Sequence, residues 1–277
     1  MMGADTLSAA AVQENLQTRW AGRGGILYAQ EMPSTNAVLK EAARQGMPHG
    51  SVAVCHHQTA GKGRIGRSWE TPPGEALTFS LLLRPKLQPE QAQLCTLAAA
   101  LAVVRTIRGL CPGLTPRIKW PNDVVLGQGK CCGILSEMGM GAVGVDYVVT
   151  GVGLNVNQTA FPEELANKAV SLLGEMRKEA ADVQPLDRTT LLCRFLREME
   201  AIMDAVEAGG FAAIRADYEA ASATIGQPVK VIAPAEQYTG VAQAVDDTGA
   251  LLVRQQDGCV ETVLCGDVSV RGLMGYV

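Results

Sequence analysis

The order of apolar and polar residues predicts helices and strands over the first 225 residues. A helical pattern begins at Ser34, places Leu39 and Ala43 on one face, and stops at Gly46. Residues 51–57 then alternate as a half-buried strand. The segment that follows is rich in glycine and has neither period, so we expect a loop there.

Two longer apolar patterns predict the principal helices. Pro89 opens one that extends to about Gly109, and Asp187 caps the other. The apolar stripe of the first helix is Leu94, Leu97, Leu101, Val104 and Ile107. The stripe of the second is Leu191, Leu192, Phe195, Leu196, Met199, Ile202 and Met203. A shorter helix is predicted at residues 211–221.

Short apolar runs bounded by turn residues predict the strands. In the first part of the chain they lie at residues 76–83, 117–120, 123–126, 130–137 and 147–154. From Gly226 onward, short strands are broken at residues 233–234, 246–249 and 257–258, which is typical of a small antiparallel barrel or sandwich. We therefore predict two domains, an α+β body at 1–225 and a β module at 226–277.

Composition narrows the classes of function. The chain has 277 residues, of which 47% are hydrophobic and 19% charged, as in a globular protein. A net charge of −4 argues against a general nucleic-acid binder. The longest apolar run, residues 97–104, is too short to span a bilayer, and residues 1–13 lack the pattern of a secretory signal. We expect a cytoplasmic protein without membrane contact.

The eight cysteines are scattered and form no CxxC pair. Cys131 and Cys132 are adjacent in a predicted strand, so their side chains point to opposite faces and cannot easily share a metal. We expect reduced cysteines that fill apolar space, and we assign no metal-ligand set.

The loop after the second predicted element carries candidate chemistry. Residues 61–66 satisfy the G-x-G-x-x-G pattern of dinucleotide-binding turns, which requires a helix directly afterwards. Residues 68–74 contain two prolines and a glycine and cannot continue as a helix. The loop also holds three cations, Lys62, Arg64 and Arg67, which a dinucleotide turn does not need. The NAD interpretation is therefore excluded.

Two interpretations of this loop remain open from the residues alone. A mobile cationic loop beside Trp69, which offers a flat ring face, suits a nucleotide whose phosphates become ordered on binding. The same residues are equally typical of a solvated basic turn with Trp69 in the core.

Five motifs that occur in order support the first interpretation. They are Ser34-Thr35-Asn36, residues 58–69, Lys119-Trp120-Pro121-Asn122-Asp123, residues 130–135, and residues 151–157. This series resembles the biotin–protein ligase family, and the stretch from Gly226 resembles that family's SH3-like module. The resemblance covers nearly everything after about Ile26.

The resemblance implies a fold and a reaction. The fold would be a mixed β-sheet with helices packed on one side, related to class II synthetase-like domains. Biotin and Mg-ATP would give biotinyl-5′-AMP and pyrophosphate, and a lysine of a biotin carboxyl carrier protein would then attack the adenylate. The implied cofactors are ATP and Mg²⁺, with biotin as substrate.

The resemblance also assigns site residues. Biotin would be bound by Ser34, Thr35, Asn36, Gln58, Lys62, Gly63, Arg64, Lys130 and Gly133. ATP and the adenylate would be bound by Arg67, Trp69, Lys119, Asn122, Asp123 and Asn155. Arg64 and Lys130 would be the catalytic residues. Lys62 stands where the family often has arginine, so it keeps the charge but not the planar fork.

Simpler roles exist for several of these residues. Ser34 and Thr35 suit the start of a helix, Asp123 suits the turn after Pro121, and Lys130 suits a solvated hairpin. Lys119 suits a surface strand and Asn155 a turn.

Three functions are alternatives to a stand-alone biotin ligase. A lipoate or octanoate ligase or transferase shares the fold, but the loop at residues 61–69 and the motif at 119–123 favour biotin. A DNA-binding repressor needs an additional domain of roughly 60 residues, and only 33 residues precede Ser34. A catalytically silent biotin-binding module would not need Lys130 and Arg64.

Overall fold

The computed structural model describes residues 7–142, 144–233, 236–266 and 269–272. Two expectations fall partly outside these ranges. One is the absence of a secretory signal at residues 1–13. The other is the interruption between two strands that is predicted at residues 233–234.

A seven-stranded sheet forms the centre of the body. Its strands are β1 (Ile26–Met32), β2 (Val52–Gln58), β3 (Ala76–Leu83), β4 (Arg117–Lys119), β5 (Asp123–Leu126), β6 (Gly129–Gly141) and β7 (Gly144–Asn155). Their order across the sheet is β1-β2-β3-β7-β6-β5-β4, with β1 and β2 parallel and every other pair antiparallel. Strand β3 is buried along its whole length because it lies between β2 and β7 under helices on both faces.

Six α-helices accompany the sheets in the described ranges. They are α1 (Ala9–Asn15), α2 (Thr35–Arg44), α3 (Leu94–Leu110), α4 (Leu172–Glu179), α5 (Arg188–Gly209) and α6 (Arg215–Ala221). Helices α3 and α5 pack on each other and on one face of the sheet. Helix α2 packs on the opposite face, against alternate residues of β2 such as Ala53 and Cys55. Helices therefore occupy both faces, whereas the resemblance implied one side only.

The two long helices were predicted with the correct stripes, but α3 differs in detail. Pro89 opens a short 3-10 turn, and the α-helix begins at Leu94. Nearly every residue from Leu94 to Ile107 is buried, because α3 lies between the sheet and α5. The segment Pro89–Leu110 is long and apolar enough to cross a membrane by length and composition, but 72% of its most apolar stretch is buried inside the protein. That burial is typical of a core helix.

A second, five-stranded sheet follows the body. Its strands are β8 (Pro228–Ile232), β9 (Gln237–Val245), β10 (Leu251–Arg254), β11 (Val260–Val263) and β12 (Ser269–Gly272), in the order β11-β10-β9-β8-β12, all antiparallel. We call this part the C-terminal module. The body holds it through side chains, since Gln93 Nε2 donates to Thr248 O at 2.6 Å and Trp120 Nε1 donates to Gly249 O at 3.1 Å.

The cysteines mostly fill the interior. Those at 55, 95, 111, 131, 132 and 193 are buried and free, Cys265 is partly buried, and Cys259 is exposed. Burial raises the pKa of the Cys111 thiol to about 11, so this thiol stays protonated and apolar at neutral pH. Within the described residues there is no group of three or more His, Cys, Asp or Glu side chains placed to hold a metal.

Candidate active site

A pocket of about 450 Å³ opens on the sheet face that also carries α2. It is lined by Ser34, Thr35, Asn36, Gln58, Lys62, Gly63, Arg64, Trp69, Asn122, Lys130, Gly133, Ile134, Leu135, Gly151, Val152 and Gly153. All nine residues predicted to bind biotin line this pocket. Of the residues predicted to bind ATP, Trp69 and Asn122 line it too. The structure thus brings together segments that lie more than one hundred residues apart.

Three glycines of β6 and β7 form the floor of the pocket. A Cβ at Gly151 would lie 2.1 Å from Asn36 Oδ1, and a Cβ at Gly153 would lie 2.4 Å from Trp69 Cε2. A Cβ at Gly133 would lie 2.9 Å from Lys130 Nζ. Polar and aromatic groups therefore rest directly on the sheet backbone, which only glycine permits.

The start of α2 and the end of β2 form one end of the pocket, which we call the amide end: Thr35, Asn36 and Gln58. Gln58 Oε1 accepts the Thr35 backbone N–H at 2.8 Å. Asn36 Nδ2 donates to Leu135 O at 3.0 Å and to Glu137 Oε2 at 2.9 Å. Ser34 occupies the N-cap position of α2 without a capping hydrogen bond from its side chain, so its hydroxyl is not committed to the helix.

Two residues outside the pocket support the amide end. The buried Ser80 hydroxyl lies 2.6 Å from Asn36 Oδ1 and 2.8 Å from Thr35 Oγ1. Glu137 also forms an ion pair with Lys40 Nζ at 2.5 Å. Partial burial favours the neutral acid, but hydrogen bonds from Lys40 and Asn36 outweigh that effect and lower the pKa of Glu137. Glu137 is therefore a carboxylate at neutral pH.

The glycine-rich loop, residues 58–69, forms a lid over the pocket. Its tip is a tight turn in which Ile65 has φ +55° and Gly66 has φ +69°. Gly63 N–H donates to Arg67 O at 2.7 Å across the base of this turn. A β-branched residue in the left-handed region is strained, and the Ile65 side chain is 54% exposed.

Arg64 connects the lid to two distant parts of the molecule. Its guanidinium donates to Asn122 Oδ1 at 2.7 Å and to the backbone oxygen of Gly266 in the C-terminal module, also at 2.7 Å. Asn122 in turn donates to Ile134 O at 3.1 Å. The peptide bond between Trp120 and Pro121, just before Asn122, is cis. The lid thus lies between the body and the C-terminal module.

Lys130 lies at the other side of the pocket from Asn36. Its ammonium forms an ion pair with Asp123 at 2.6 Å and lies 5.4 Å from the centroid of the Trp69 ring. It is therefore not a free hairpin charge, although Lys130 does follow the predicted turn. We call the group Arg64, Asn122, Asp123 and Lys130 the charged end of the pocket.

Trp69 decides between the two interpretations of the loop. Its ring lies over Gly153 and Gly133 on the pocket floor, and it lines the pocket instead of filling the core. The structure therefore favours the ligand-binding interpretation over the solvated basic turn.

Lys119 lies beside the charged end, opposite Asp123 in the β4–β5 pair. Burial lowers the pKa of Lys119 to about 8; the Asp123 carboxylate opposes this shift, and the charges of Lys130, Arg271 and Arg67 add to it. Arg271 belongs to the C-terminal module, so that module contributes a cation to this region.

Two residues predicted to bind ATP lie elsewhere. Arg67 is exposed and lines an open cleft of about 1060 Å³ next to the pocket, between the lid and Gly266. Asn155 is buried, and its Nδ2 donates to Val170 O at 3.1 Å while its Oδ1 accepts from Gln158. Asn155 lies on the same face of β7 as Gly151 and Gly153 but does not line the pocket; an ATP role for it stays a prediction.

Sequence reasoning did not assign five of the lining residues, Ile134, Leu135, Gly151, Val152 and Gly153, or the two supporting residues, Ser80 and Glu137. Gly151 and Gly153 stood in a quoted motif, and their spacing of two along a strand was a usable signal for a glycine floor. Ser80 and Glu137 carried no local signal, since they contact Asn36 only through the folding of the sheet.

Known proteins with a similar sequence are ligases. Residues 28–155 match the Biotin/lipoate A/B protein ligase family, and residues 224–271 match the Biotin protein ligase C terminal domain. A biotin--[acetyl-CoA-carboxylase] ligase of Mycobacterium tuberculosis is 39% identical over 241 residues, which cover 85% of each chain. The bifunctional ligase/repressor BirA of Bacillus subtilis is 32% identical over 266 residues, covering 95% of this chain and 79% of that protein.

Solved structures agree with this relationship. The biotin protein ligase from Aquifex aeolicus in complex with biotin and ATP superposes with a TM-score of 0.76 and 27% sequence identity, covering 90% of this chain and 99% of that one. The predicted α+β fold with a small C-terminal β domain is thereby confirmed. Together with the shared motifs at the pocket, these similarities show that the chain belongs to the biotin protein ligase family of enzymes.

Proposed function

We propose that this enzyme activates biotin with ATP as biotinyl-5′-AMP and transfers the biotinyl group to a lysine of a biotin carboxyl carrier protein. The observation that carries the proposal is a single pocket with an amide end and a charged end, joined by a glycine floor. A ligand with a polar amide-like head and a carboxylate tail fits this distribution of groups. Biotin has a ureido ring at one end and a carboxylate at the other.

The charged end suits formation of an acyl-adenylate. A carboxylate is a poor electrophile, and bringing it to a triphosphate sets two anions against each other. Lys130 and Arg64 line the pocket and would lower that repulsion where the new bond forms, and Lys119 lies next to them. The contacts of Lys130 to Asp123 and of Arg64 to Asn122 hold these cations in place before the substrates bind.

Magnesium fits the donor groups at the charged end. Mg²⁺ takes oxygen ligands and is usually held by one or two carboxylates together with substrate phosphates. The Asp123 carboxylate is the protein group that would hold it here, with the remaining positions supplied by ATP and water. Bound there, the metal would neutralise phosphate charge, while Asp123 keeps Lys130 oriented through their ion pair.

The C-terminal module contributes to the same site in this proposal. Gly266 O accepts from Arg64, and the Arg271 charge acts on Lys119. We place the domain boundary near Gly226, just before the first strand of the second sheet. From the contacts above we assign the module a role in holding the lid closed. Cytoplasmic location and the absence of DNA binding stay predictions.

A lipoate or octanoate ligase or transferase is the main alternative, since the matched family includes lipoate ligases by its name. The amide end argues against it. A dithiolane ring or an alkyl chain has no N–H or C=O group to pair with the remaining donors and acceptors of Thr35, Asn36 and Gln58, so it would leave that hydrogen-bonding capacity unused.

The decisive experiment incubates the pure protein with biotin, Mg-ATP and an apo carrier domain, and follows the acceptor lysine by mass spectrometry. We expect the biotinyl mass on one lysine and pyrophosphate release only when biotin is present. Parallel reactions contain octanoate or lipoate in place of biotin. Octanoyl or lipoyl transfer without biotinyl transfer would overturn the proposal.

A further inference from the structure

Four polar side chains form a continuous hydrogen-bonded row beneath the amide end. They are Glu137 on β6, Asn36 on α2, Ser80 on β3 and Thr35 on α2, in that order. Adjacent members are separated by 2.9 Å, 2.6 Å and 2.8 Å. Neither Ser80 nor Glu137 lines the pocket. Each bond in the row needs one donor and one acceptor, so the direction of one bond constrains the next.

The Asn36 amide has only one orientation compatible with its neighbours. Its Nδ2 faces the backbone oxygen of Leu135 and the carboxylate of Glu137, both of which only accept. An exchange of the amide oxygen and nitrogen would set oxygen against both acceptors. The Glu137 carboxylate and the Leu135 oxygen together therefore fix Asn36 with its Oδ1 toward Ser80 and the pocket.

This orientation determines the protons of the two hydroxyl groups. Asn36 Oδ1 can only accept, so Ser80 donates its one proton to it at 2.6 Å. The Ser80 oxygen must then accept from the Thr35 hydroxyl at 2.8 Å. Gln58 Oε1 already accepts the Thr35 backbone N–H, so its longer 3.2 Å contact with the Thr35 hydroxyl needs no proton. With its oxygen occupied, the Gln58 amide is left with N–H groups to donate.

We propose that Glu137 and Ser80 are positioning residues that set the donor–acceptor polarity of the amide end, and thereby its selectivity for a ligand that carries N–H donors beside a C=O acceptor. The remaining lone pairs of Thr35 and Asn36 face ligand N–H groups, and Gln58 N–H faces a ligand carbonyl. A cyclic urea presents this combination. The inference rests on the proposed function for the identity of the ligand, but it concerns residues that do not touch that ligand.

The neighbourhood of Glu137 supplies a specific test. Lys40 from α2 and Lys62 from the lid are the cations that act on it, and Val149 faces it from β7. In Glu137→Gln, the side-chain oxygen would turn to the Lys40 ammonium and its NH₂ group to the Asn36 NH₂ group. Two donors would then oppose each other, and only the Leu135 oxygen would still hold the Asn36 amide in its orientation. Removing the Lys40 charge as well lets the new amide turn its oxygen toward Asn36.

The experiment measures the biotin dissociation constant by calorimetry for the full chain and its variants. We expect Glu137→Gln to weaken biotin binding about tenfold, the loss of one well-oriented hydrogen bond, while the KM for ATP stays within twofold. The double variant Glu137→Gln/Lys40→Met should recover most of the affinity. Lys40→Met alone is the matched control, because it breaks the same ion pair but leaves Glu137 ionised at neutral pH.

The outcomes distinguish failure of the positioning role from failure of the proposed function. Equal affinities of parent and Glu137→Gln would overturn the inference, and so would a double variant as weak as the single one or a Lys40→Met variant as weak as Glu137→Gln. Should Glu137→Gln fail to fold, Ser80→Ala tests the same row: it should weaken biotin binding about fivefold, and unchanged affinity would count against us. Absence of biotin binding by the parent protein would instead reject the proposed function.

Discussion

The two ends of the pocket are built in different ways. At the amide end, neutral side chains are held by hydrogen bonds to other protein groups, and the supporting Ser80 is fully buried. At the charged end, Arg64 and Lys130 are held by contacts with Asn122, Asp123 and a backbone oxygen, and part of each contact is open to solvent. The lid tip above the charged end is exposed.

We infer from this difference that the amide end selects the ligand and that the charged end carries out the reaction with ATP. A rigid amide end recognises a ligand without paying for rearrangement, because its groups already have the orientation that the ligand needs. The charged end must accept a triphosphate and then release pyrophosphate, so contacts that substrate oxygens can replace are an advantage. We expect substitutions at the amide end to change the KM for biotin, and substitutions at the charged end to change kcat and the behaviour toward ATP.

The largest effect is expected from Lys130→Ala at the charged end. Loss of this cation removes charge stabilisation where the adenylate forms, and comparable losses reduce kcat about 10²- to 10³-fold. Pyrophosphate release in the presence of biotin measures this step. Lys168→Ala, at an exposed lysine on the segment that pairs with Lys130, is the control and should behave as the parent. Equal pyrophosphate release by Lys130→Ala and the parent would remove Lys130 from the catalytic residues.

The two floor glycines offer a paired test of the comparison. Gly151→Ala places a Cβ against Asn36, and Gly153→Ala places one against Trp69. We expect the first to raise the KM for biotin about tenfold with little change for ATP, and the second to raise the KM for ATP by a similar factor. Steady-state kinetics with each substrate varied in turn give both values. The distinction between the ends fails if both variants affect the two substrates equally.

The lid is tested by Arg64→Gly. This change removes the contacts to Asn122 and to the C-terminal module, so the lid should open more often and release free biotinyl-AMP about tenfold faster. Release is measured by trapping the adenylate in a single-turnover experiment. Ile65→Asn is the control, since asparagine tolerates the left-handed backbone at the same turn. A release rate that is the same for Arg64→Gly and the parent contradicts the role of Arg64 in the lid.

The smallest effect concerns pH. The pKa of Lys119 is about 8, so its positive charge is present below pH 8 and is lost as the pH rises through that value. We expect the KM for ATP to rise about threefold between pH 7 and 9 as this charge disappears. In Lys119→Arg the charge persists, and the rise should be absent. A rise that is identical in both proteins would assign the pH dependence to another group.

The pKa of Lys119 has a second consequence with a defined sign. The folded-state value of about 8 lies below the ordinary value of 10.5. Between these values the unfolded chain binds more protons than the folded one, so this group makes the protein more stable as the pH rises. Denaturant unfolding at several pH values would detect this trend in the parent and its loss in Lys119→Met.

Sequence patterns predicted the regular parts of the fold well, for physical reasons. The stripes of α3 and α5 repeat at the helical period, and both helices are present. Strand β1 and helix α4 were not predicted, because β1 is a half-exposed edge strand without clear alternation and α4 has only a short buried face. The burial of α3 on nearly all sides follows from its place between two layers, which no local pattern records.

In the candidate site, too, the sequence predicted what local motifs record and missed what depends on tertiary packing. Motifs located the lining residues, because several of them are adjacent in the chain. They did not separate Asn155, whose side chain bonds Val170 O and Gln158 and does not line the pocket, from Asn122, which lines it. Ser80 and Glu137 act on Asn36 across 44 and 101 positions of sequence. Contacts of that kind arise from sheet order and register.

The bond from Arg64 to Gly266 ends on a backbone oxygen. Every amino acid carries such an oxygen, so the residue at this position can change without removing the acceptor. At this contact, the backbone path of the C-terminal module matters more than the side chain that it carries. Hybrid enzymes that carry the C-terminal module of a relative should therefore keep the hydrogen bond from Arg64, provided that the loop at residues 264–266 follows the same course.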